Sequence, residues 1–471
     1  MQRDVNNAIR RATIFTIGVL LLYAAVIHAQ ATIITVTSTN DSGPGSLRQA
    51  LADANDGDTI NFAVTGTIGL TNGELLVDKR ITISGPGATN LDVNSNASRV
   101  FHIDSGKNAS ISGLMITGTN VFLNGGAILN DHATLTLNNC AVGGFATQGG
   151  GIYNDGGNGN AALTIVNSTV SGVSGNGAGG GIVNEAAEGS ATLTIVNSAV
   201  KNSFSTGASP PEDFGVAGGI YNQLGIVTIT NSTISGNSAS NEGGGIVNGG
   251  GTLTITNSAV SGNQAGGFGT NNYAGIGGGI SNQGTLTISN STISGNTAFG
   301  NDSKGPGFGG GIYNVATLVL TNSTLSGNSA INGGAMYNSG TVEIGNTVLK
   351  AGMPGGNIVN SGGTVTSQGY NISTDDGGGN LTGPGDQINT DPMIGPLGDN
   401  GGPTLTHALL PGSPAINAGD PNFTPPPLYD QRGAPFVRVF NGRIDIGSFE
   451  VQPPRRATPA PRSRPTPLPR P

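Results

Sequence analysis

One short phrase recurs through most of the chain and constrains its fold more than any other feature. The phrase is Gly-Gly-Gly-Ile-x-Asn or a close variant, and its copies end at Asn130, Asn154, Asn184, Asn222, Asn248, Asn282, Asn314, Asn338 and Asn360. Successive copies are 22 to 38 residues apart, a period typical of solenoid proteins. Each copy therefore marks one repeat, which buries its apolar face by stacking on the next.

Two further phrases fill the interval between copies. One is apolar-Thr-apolar-x-Asn-Ser, with its asparagine at 139, 167, 197, 231, 257, 290, 322 and 346, and the other is Ser-Gly-Asn. Each phrase alternates apolar and polar residues over a few positions, which is the period of a β-strand. Three strands and three turns fit the shortest interval of 22 residues. The sequence therefore predicts an all-β chain with a right-handed parallel β-helix, whose regular coils span 119–372.

The residue types within the repeat each have a structural interpretation. Inward Ile, Leu and Val from successive coils would fill a narrow core, and the glycine triplets allow sharp corners. Asparagine tolerates a left-handed backbone and can bond to its copies above and below, so we interpret the recurrent asparagines as structural ladders rather than as ligands for metal or sugar. The lone cysteine, Cys140, is expected to be a small buried residue.

The two ends of the repeat region differ from its middle. Apolar residues at helical spacing follow Ser46, which predicts a short helix that caps the solenoid within an N-terminal region of irregular coils at 32–118. The repeat phrases stop at 373–450, where Pro and Asp become frequent, and we expect a C-terminal cap there. Residues 451–471 alternate Pro with Arg, Ala, Thr and Ser, which favours a disordered tail.

The N-terminus has the pattern of a secretory signal peptide at 1–31. Three arginines precede an apolar run at 12–27, and Ala29 or Ala31 supplies a small residue for cleavage. The run is short for a membrane span, and no later segment approaches that length. The sequence therefore predicts an exported protein, extracellular or on the cell surface or outer envelope, with no transmembrane segment in the mature chain.

Three segments resemble known bacterial surface proteins. Gly45-Ser46-Leu47-Arg48-Gln49-Ala50-Leu51 resembles the CSLREAI segment that opens many β-helix surface proteins, with Gly45 in place of the family's cysteine. Residues 391–450 resemble the choice-of-anchor Q domain, notably at Asp445-Ile446-Gly447-Ser448-Phe449-Glu450. The repeats resemble pectin-lyase-like β-helices and, more loosely, polymorphic outer membrane protein repeats. These resemblances imply a bacterial surface or secreted protein and no particular reaction.

Charge and composition exclude some functions and leave others open. The net charge is −8 and no basic stripe follows the repeats, which argues against nucleic acid as a partner. A lyase of the pectate type needs an Arg or Lys base, yet no arginine lies between Arg99 and Arg432. Carboxylates within the coils are interpreted as scattered, namely those of Asp155, Glu185, Glu188 and Glu242. The leading hypothesis is a non-enzymatic adhesion, binding or display protein; a polysaccharide lyase or glycoside hydrolase with an atypical site and a purely structural envelope component remain open.

Two sets of residues are candidate sites, and no catalytic residue is assigned. Tyrosine stands between Ile and Asn of the Gly-rich phrase at Tyr153, Tyr221, Tyr313 and Tyr337, where outward rings would form a platform for an extracellular polysaccharide or another cell surface. In the C-terminal region, calcium is the one cofactor considered, with ligands from Asp375, Asp376, Asp391 and Asp399. The long insertions at 201–217, 264–276 and 297–308 are expected at one edge of the solenoid.

Overall fold

A computed structural model of the chain describes residues 31–175, 177–207, 215–267, 274–300, 305–352 and 354–452, with the backbone alone at 120–123, 147 and 148. The predicted signal peptide, apart from Ala31, and the predicted tail beyond Gln452 lie outside the described residues, as do parts of the three insertions. In the described part, none of the helices combines the length and the apolar character needed to cross a membrane.

Short parallel strands stack into three long sheets around one core, which confirms the predicted all-β parallel β-solenoid. Each regular coil adds a strand to the second sheet, then to the first and then to the third, before the chain returns to the second sheet one coil further on. The expected right-handed coiling is the sense that connections between parallel strands take almost without exception.

Among the described residues, the first sheet has 13 strands, which are Ile33–Val36, Thr59–Phe62, Ile81–Ser84, Asn108–Ser112, Thr134–Asn138, Asn160–Val166, Ser190–Val196, Ile226–Thr230, Thr252–Thr256, Thr285–Ser289, Thr317–Thr321, Thr341–Gly345 and Thr364–Gly369. In the same part of the chain the second sheet has 11 strands, which are Leu75–Val77, Phe101–Ile103, Ile128–Asp131, Ile152–Asp155, Ile182–Glu185, Ile220–Gln223, Ile246–Gly249, Ile280–Asn282, Ile312–Asn314, Met336–Asn338 and Ile358–Asn360.

The third sheet has 17 strands in the described coils, with two short strands in several of them, namely Gly66–Leu70, Leu91–Ser95, Met115–Asn124, Ala141–Gln148, Thr169–Ser171, Ser174–Gly175, Ala199–Lys201, Phe204–Ser205, Thr233–Ser235, Ser238–Ala239, Ala259–Ser261, Gln264–Ala265, Thr292–Ser294, Thr297–Ala298, Thr324–Ser326, Val348–Lys350 and Ile372–Ser373. The remaining described elements are an antiparallel hairpin of Ile394–Gly398 with Thr406–Leu409, the helix Leu47–Asp53 and the 3-10 turn Gly377–Gly379.

The apolar core follows from the register of the repeats. Ile182, Ile220 and Ile246 pair in line on three consecutive coils, and each has no exposed surface. Burial of one such side chain contributes about 1.5–3 kcal/mol relative to its exposed state. Because the same positions recur in nearly every coil, these contributions add along the whole solenoid.

The two main asparagine series have different structural roles. Asparagines that end the Gly-rich phrase form the predicted ladder: from Asn130 to Asn360, each side-chain amide donates to the side-chain oxygen of the next copy at 2.7–2.9 Å. Asparagines of the Asn-Ser phrase instead have φ near +50° and form a corner. The left-handed backbone and the continuous ladder therefore belong to different residues. Cys140 is buried as predicted, at the place that serine occupies in the six coils that follow.

The N-terminal end is covered by the predicted capping helix. The Ser46 hydroxyl accepts a hydrogen bond of 3.1 Å from the Gln49 backbone N–H, which confirms Ser46 as the N-cap. Leu47, Ala50 and Leu51 are buried and join the solenoid core. The helix thereby shields the apolar end of the first coil.

The C-terminal region at 373–450 has two parts. Residues 374–390 close the end of the solenoid, where Leu381 joins the core and Asn380 lies 3.4 Å from the ladder amide of Asn360. The segment 391–450 instead packs on the outside of the third sheet. Its contacts there include 2.9 Å from His407 Nε2 to Ser294 Oγ, 2.6 Å from Gln431 Oε1 to Thr292 Oγ1 and 3.1 Å from the Ser448 N–H to Thr324 Oγ1. It therefore covers one side of the last coils as well as following their end.

Candidate functional site

The middle residues of the second-sheet strands form one column on the outside of the solenoid. Side chains of a strand alternate, so the Ile and Asn of each phrase face the core and the residue between them faces outward. This outer column consists of Leu76, His102, Leu129, Tyr153, Val183, Tyr221, Val247, Ser281, Tyr313, Tyr337 and Val359, which pair in register. All four predicted tyrosines belong to it.

The tyrosine rings pack against the solenoid and against each other, so their faces do not form an open, flat platform. Tyr313 and Tyr337 occupy adjacent coils, and their rings stack with centroids 5.4 Å apart and planes at 8°. Tyr153 is 4% exposed because its ring packs over Gly149, where an added Cβ would be 2.9 Å from Tyr153 Cδ2. Since stacked rings cover each other's faces, a ligand would meet ring edges and hydroxyl groups. Sugar binding at these four residues remains a prediction.

Next to the outer column, three carboxylates lie on consecutive coils. Asp131 pairs in register with Asp155, and Asp155 pairs with Glu185. Neighbouring parallel strands are about 4.8 Å apart, so these side chains are neighbours. The interpretation of Asp155 and Glu185 as scattered is therefore wrong, because the 30 residues between them are one coil of the solenoid. Asp131, Asp155 and Glu185 are named the acidic column below.

A cleft of about 620 Å³ opens over this part of the second sheet. Its lining includes the carboxylates of Asp155, Glu185 and Glu188 and the side chains of Tyr153 and Tyr221. No lysine or arginine is among the described residues that line it. Burial raises the pKa of Glu185, so this carboxyl group holds its proton to higher pH than an exposed glutamate. The described lining therefore combines carboxylates with tyrosine hydroxyls and offers no cation to balance their charge.

Glu242 extends the polar surface toward the C-terminal coils. Its Oε1 accepts hydrogen bonds of 2.6 Å from Ser281 Oγ and from Gln283 Nε2. Burial raises the pKa of Tyr221 and of Tyr313, and the Glu242 charge adds to this effect on both. Glu242 thus lies between the cleft and the stacked tyrosines and is close enough to Tyr221 and Tyr313 to affect both.

Two histidines meet the N-terminal end of the acidic column. His102 Nε2 lies 3.3 Å from Asp131 Oδ2, and His132 Nδ1 contacts the other oxygen of the same carboxylate. His132 Nε2 is 3.9 Å from Asp155 Oδ1. In the described part of the chain, two sets of side chains bring ligand atoms for a metal ion within 4.8 Å of one another: His102, Asp104 and Asp131, and Asp131, His132 and Asp155.

A chain of contacts orients the His102 ring. Glu74 Oε1 lies 3.0 Å from His102 Nδ1, and the other Glu74 oxygen contacts the Arg99 guanidinium. The Glu74 carboxylate raises the pKa of His102 through this hydrogen bond. Burial opposes ionisation of Glu74, but the bonds from His102 and Arg99 outweigh it and lower the pKa of Glu74. His102 therefore has a fixed ring orientation, with Nε2 directed at Asp131.

The four aspartates of the predicted calcium site each have protein partners. Asp375 accepts from the backbone N–H groups of Asn357 and Gly377 at 2.6 and 2.9 Å, and these bonds outweigh burial and lower its pKa. Asp376 and Asp399 each cap a nearby N–H group, and Asp391 pairs with Lys350 at 2.7 Å. The described groups of three clustered ligands lie elsewhere, at the histidines. Calcium in the C-terminal region remains a prediction.

His102, Asp131 and His132 were not predicted from the sequence, although a signal for two of them was present. Asp131, Asp155 and Glu185 each follow the ladder asparagine directly, so the repeat register alone aligns them. His132 comes one residue later, at a corner with φ of +51°. His102 had no such signal, because its coil lacks the Gly-rich phrase.

Similarity to known proteins is found in structure and not in sequence. No family model matches the sequence, and no curated protein sequence matches it either. One similar solved structure is "Crystal structure of pectate lyase Pel9A", with a TM-score of 0.45 and 16% identity over 90% of this chain and 97% of that chain. At this identity the roles of the lyase residues do not transfer, so the function of this chain has to be argued from its own residues.

Proposed function

We propose that this protein binds a polysaccharide along the second sheet, with the acidic cleft as its main subsite, and that it acts in adhesion or display. The observation that carries this proposal is the cleft itself, which three carboxylates and two tyrosines line together. Carboxylates accept charge-assisted hydrogen bonds from sugar hydroxyls, and tyrosine hydroxyls both donate and accept. A solenoid repeats such groups at the spacing of its coils, which suits a polymer.

The charge of the cleft selects among polysaccharides. Asp155, Glu185 and Glu188 would repel a uronic acid polymer, and no described lining residue offers a cation to balance its charge. Neutral sugars avoid this repulsion, and protonated amino sugars are attracted. The expected ligand is therefore a neutral or amino-sugar polymer.

Binding can be measured on immobilised neutral, amino-sugar and uronic acid polymers at equal chain length. We expect Glu185→Gln to weaken binding about tenfold, because a charge-assisted hydrogen bond contributes about 1.5–3 kcal/mol. Glu343→Gln is a matched control, since Glu343 is exposed on the first sheet, away from the cleft. Equal binding of all polymers, or no difference between the two variants, would contradict the proposal.

Glycoside hydrolysis is a second candidate, favoured by the pair of Asp155 and Glu185. Glycosidases use two carboxyl groups, about 5–5.5 Å apart in retaining enzymes and about 6.5–9.5 Å in inverting ones. Side chains on adjacent strands fall near this range, and burial gives Glu185 the raised pKa of a general acid. A lyase is less favoured, because no lysine or arginine base lines the described cleft.

The release of new reducing ends from the best-binding polymer separates hydrolysis from binding alone. If the protein is a hydrolase, Asp155→Asn and Glu185→Gln should each lower the rate at least a hundredfold while the polymer still binds. If it only binds, wild type and both variants should release no reducing ends above a blank.

The proposed place of action is outside the cell. The support is the signal-peptide pattern of residues 1–31, an apolar run after three arginines. Fractionation of the producing cells with an antibody to the solenoid tests this, since retention of the uncleaved chain in the cytoplasm would contradict export.

A further inference from the structure

One group of side chains at the N-terminal end of the second sheet has no role in the proposed polysaccharide binding. We propose that His102, Asp104 and Asp131 bind one divalent transition-metal ion of the zinc class. Their ligand atoms already lie within 4.8 Å of one another, and all three side chains are half-buried. One imidazole with two carboxylates is a ligand set that zinc and similar ions accept, whereas calcium and magnesium prefer oxygen alone.

The surroundings of His102 match those of a metal-binding histidine. Such residues usually donate the N–H of the second ring nitrogen to a carboxylate, which fixes the ring and leaves the other nitrogen for the metal. Here the Glu74 carboxylate takes the Nδ1 side, and Arg99 in turn holds Glu74. The other ring nitrogen, Nε2, lies 3.3 Å from Asp131 Oδ2, a second proposed ligand. Ligand atoms around a tetrahedral zinc ion are about 3.4 Å apart for bonds of about 2.1 Å, so this pair is already at the required separation.

The second histidine group fits a metal ion less well. His132 Nδ1 contacts Asp131, and His132 Nε2 is the acceptor for the Asn158 backbone N–H at 3.4 Å. The partner of His132 Nε2 is thus a backbone N–H outside the ligand set, and Asp155 is 3.9 Å away, whereas the partner of His102 Nε2 is Asp131, itself a proposed ligand. His102 has an orienting carboxylate on one side and metal-ligand oxygens on the other, so we place the ion at His102.

The site would join two coils. His102 and Asp104 belong to the coil of strand Phe101–Ile103, and Asp131 ends the strand of the next coil. An ion held by both coils stabilises the folded state in proportion to its concentration, because the unfolded chain does not bring these ligands together. It would also offset part of the negative charge at this end of the acidic column.

Calorimetric titration of the purified, tag-free protein with Zn²⁺ tests the site, with Ca²⁺ as the comparison and thermal unfolding as a second readout. We expect one Zn²⁺ per chain, a raised Tm, and at least tenfold weaker binding in His102→Asn, Asp104→Asn and Asp131→Asn. Glu74→Gln should weaken binding about 10- to 100-fold through the ring orientation. Glu343→Gln is the control and should stay within threefold of wild type, whereas His132→Asn, which removes a contact to Asp131, should weaken binding less than His102→Asn does.

Circular dichroism of each variant separates loss of a ligand from loss of the fold, and three independent ligand variants keep the test decisive if one of them unfolds. Zn²⁺ affinity that is the same in all folded ligand variants overturns the site. Loss with His132→Asn but not with His102→Asn overturns its placement. Ca²⁺ bound as tightly as Zn²⁺ overturns the assigned class of ion. Because the test needs no polysaccharide, it is independent of whether the proposed binding function holds.

Discussion

The two asparagine series have different structural roles, one as a hydrogen-bonded ladder and one as a corner. This difference can be tested with alanine substitutions in a single coil. Asn222 is a buried rung of the ladder, and Asn231, nine residues later, is a corner with φ of +50°. Both are asparagines of the same repeat, so a comparison of Asn222→Ala with Asn231→Ala isolates the environment from the residue type.

The expected cost at Asn222 follows from its bonds. Its side-chain oxygen accepts from Asn184 at 2.9 Å, and its amide donates to Asn248 Oδ1 at 2.8 Å and to the Gly225 carbonyl at 2.9 Å. Each bond contributes about 1 kcal/mol, and a buried partner left without one costs more. We expect Asn222→Ala to lower the free energy of unfolding by about 3–5 kcal/mol. Alanine at Asn231 has only the left-handed backbone to accommodate, at about 1–2 kcal/mol, and Asn231→Gly should be close to neutral.

Urea unfolding followed by circular dichroism measures the difference, provided that the slope of free energy against urea is unchanged among the variants. A changed slope would signal that the coils no longer unfold together, as can happen in repeat proteins. If Asn222→Ala costs less than about 1 kcal/mol, or if Asn231→Ala costs as much, the ladder is not the stabilising element that its geometry indicates.

Three further predictions concern the C-terminal segment, the lone cysteine and the glycine triplets. Burial, with a contribution from Asp445, raises the pKa of Glu450 to about 8, whereas the unfolded chain loses this proton near pH 4.5. The free energy of unfolding should therefore fall by up to about 1.4 kcal/mol per pH unit as the pH rises between these values, and Glu450→Gln should remove most of this slope in pH-dependent unfolding. Cys140→Ser should change the Tm by no more than about 3 °C, because serine occupies this position in the six coils that follow, and the native thiol should react slowly with a thiol reagent, since burial raises its pKa. Gly244→Ala should cost more than about 3 kcal/mol in urea unfolding, because its Cβ would be 2.4 Å from the Gln264 backbone, while Gly262→Ala, with open space at φ of +63°, should cost about 1 kcal/mol.

Much of the fold could be predicted because the same sequence pattern recurs in many coils. Ile, Asn and the glycine triplets recur with one register, and a parallel stack is the arrangement that lets identical residues meet identical residues. The helix after Ser46 was predictable for a local reason, the N-cap and the apolar spacing that follows it. The course of residues 391–450 was not, because packing on the side of the third sheet depends on contacts such as Gln431 with Thr292, 139 residues apart, that no local pattern encodes.

The candidate site was only partly predictable for a related reason. Tyr313 and Tyr337 could be placed together, since both occupy the same place in neighbouring copies of the phrase. Asp155 and Glu185 also occupy equivalent places in neighbouring copies. Insertions make the coils unequal in length, however, so residues that are far apart in the sequence are easily taken to be far apart in space. His102 lies in a coil without the phrase, so its contact with Asp131 needed the three-dimensional register.

The position of the candidate site on the second sheet also follows from the coverage of the third sheet and the composition of the first. The segment 391–450 covers the outside of the third sheet at Thr292 and Thr324, so those coils cannot present that face to a large ligand. The outer face of the first sheet repeats threonine at most positions, which suits a strand surface and brings few ionisable groups together. On the second sheet, the outward residue between Ile and Asn supports neither the core nor the ladder, so it is free to differ from coil to coil. The insertions begin at the third sheet and end shortly before the second-sheet strands, where Val216, Ile276 and Phe308 belong to one row of paired residues. Because the recurrent residues of the repeat are needed for stacking, the side-chain chemistry can differ between coils only at such outward positions. His102, Tyr153 and Tyr221 occupy positions of that kind.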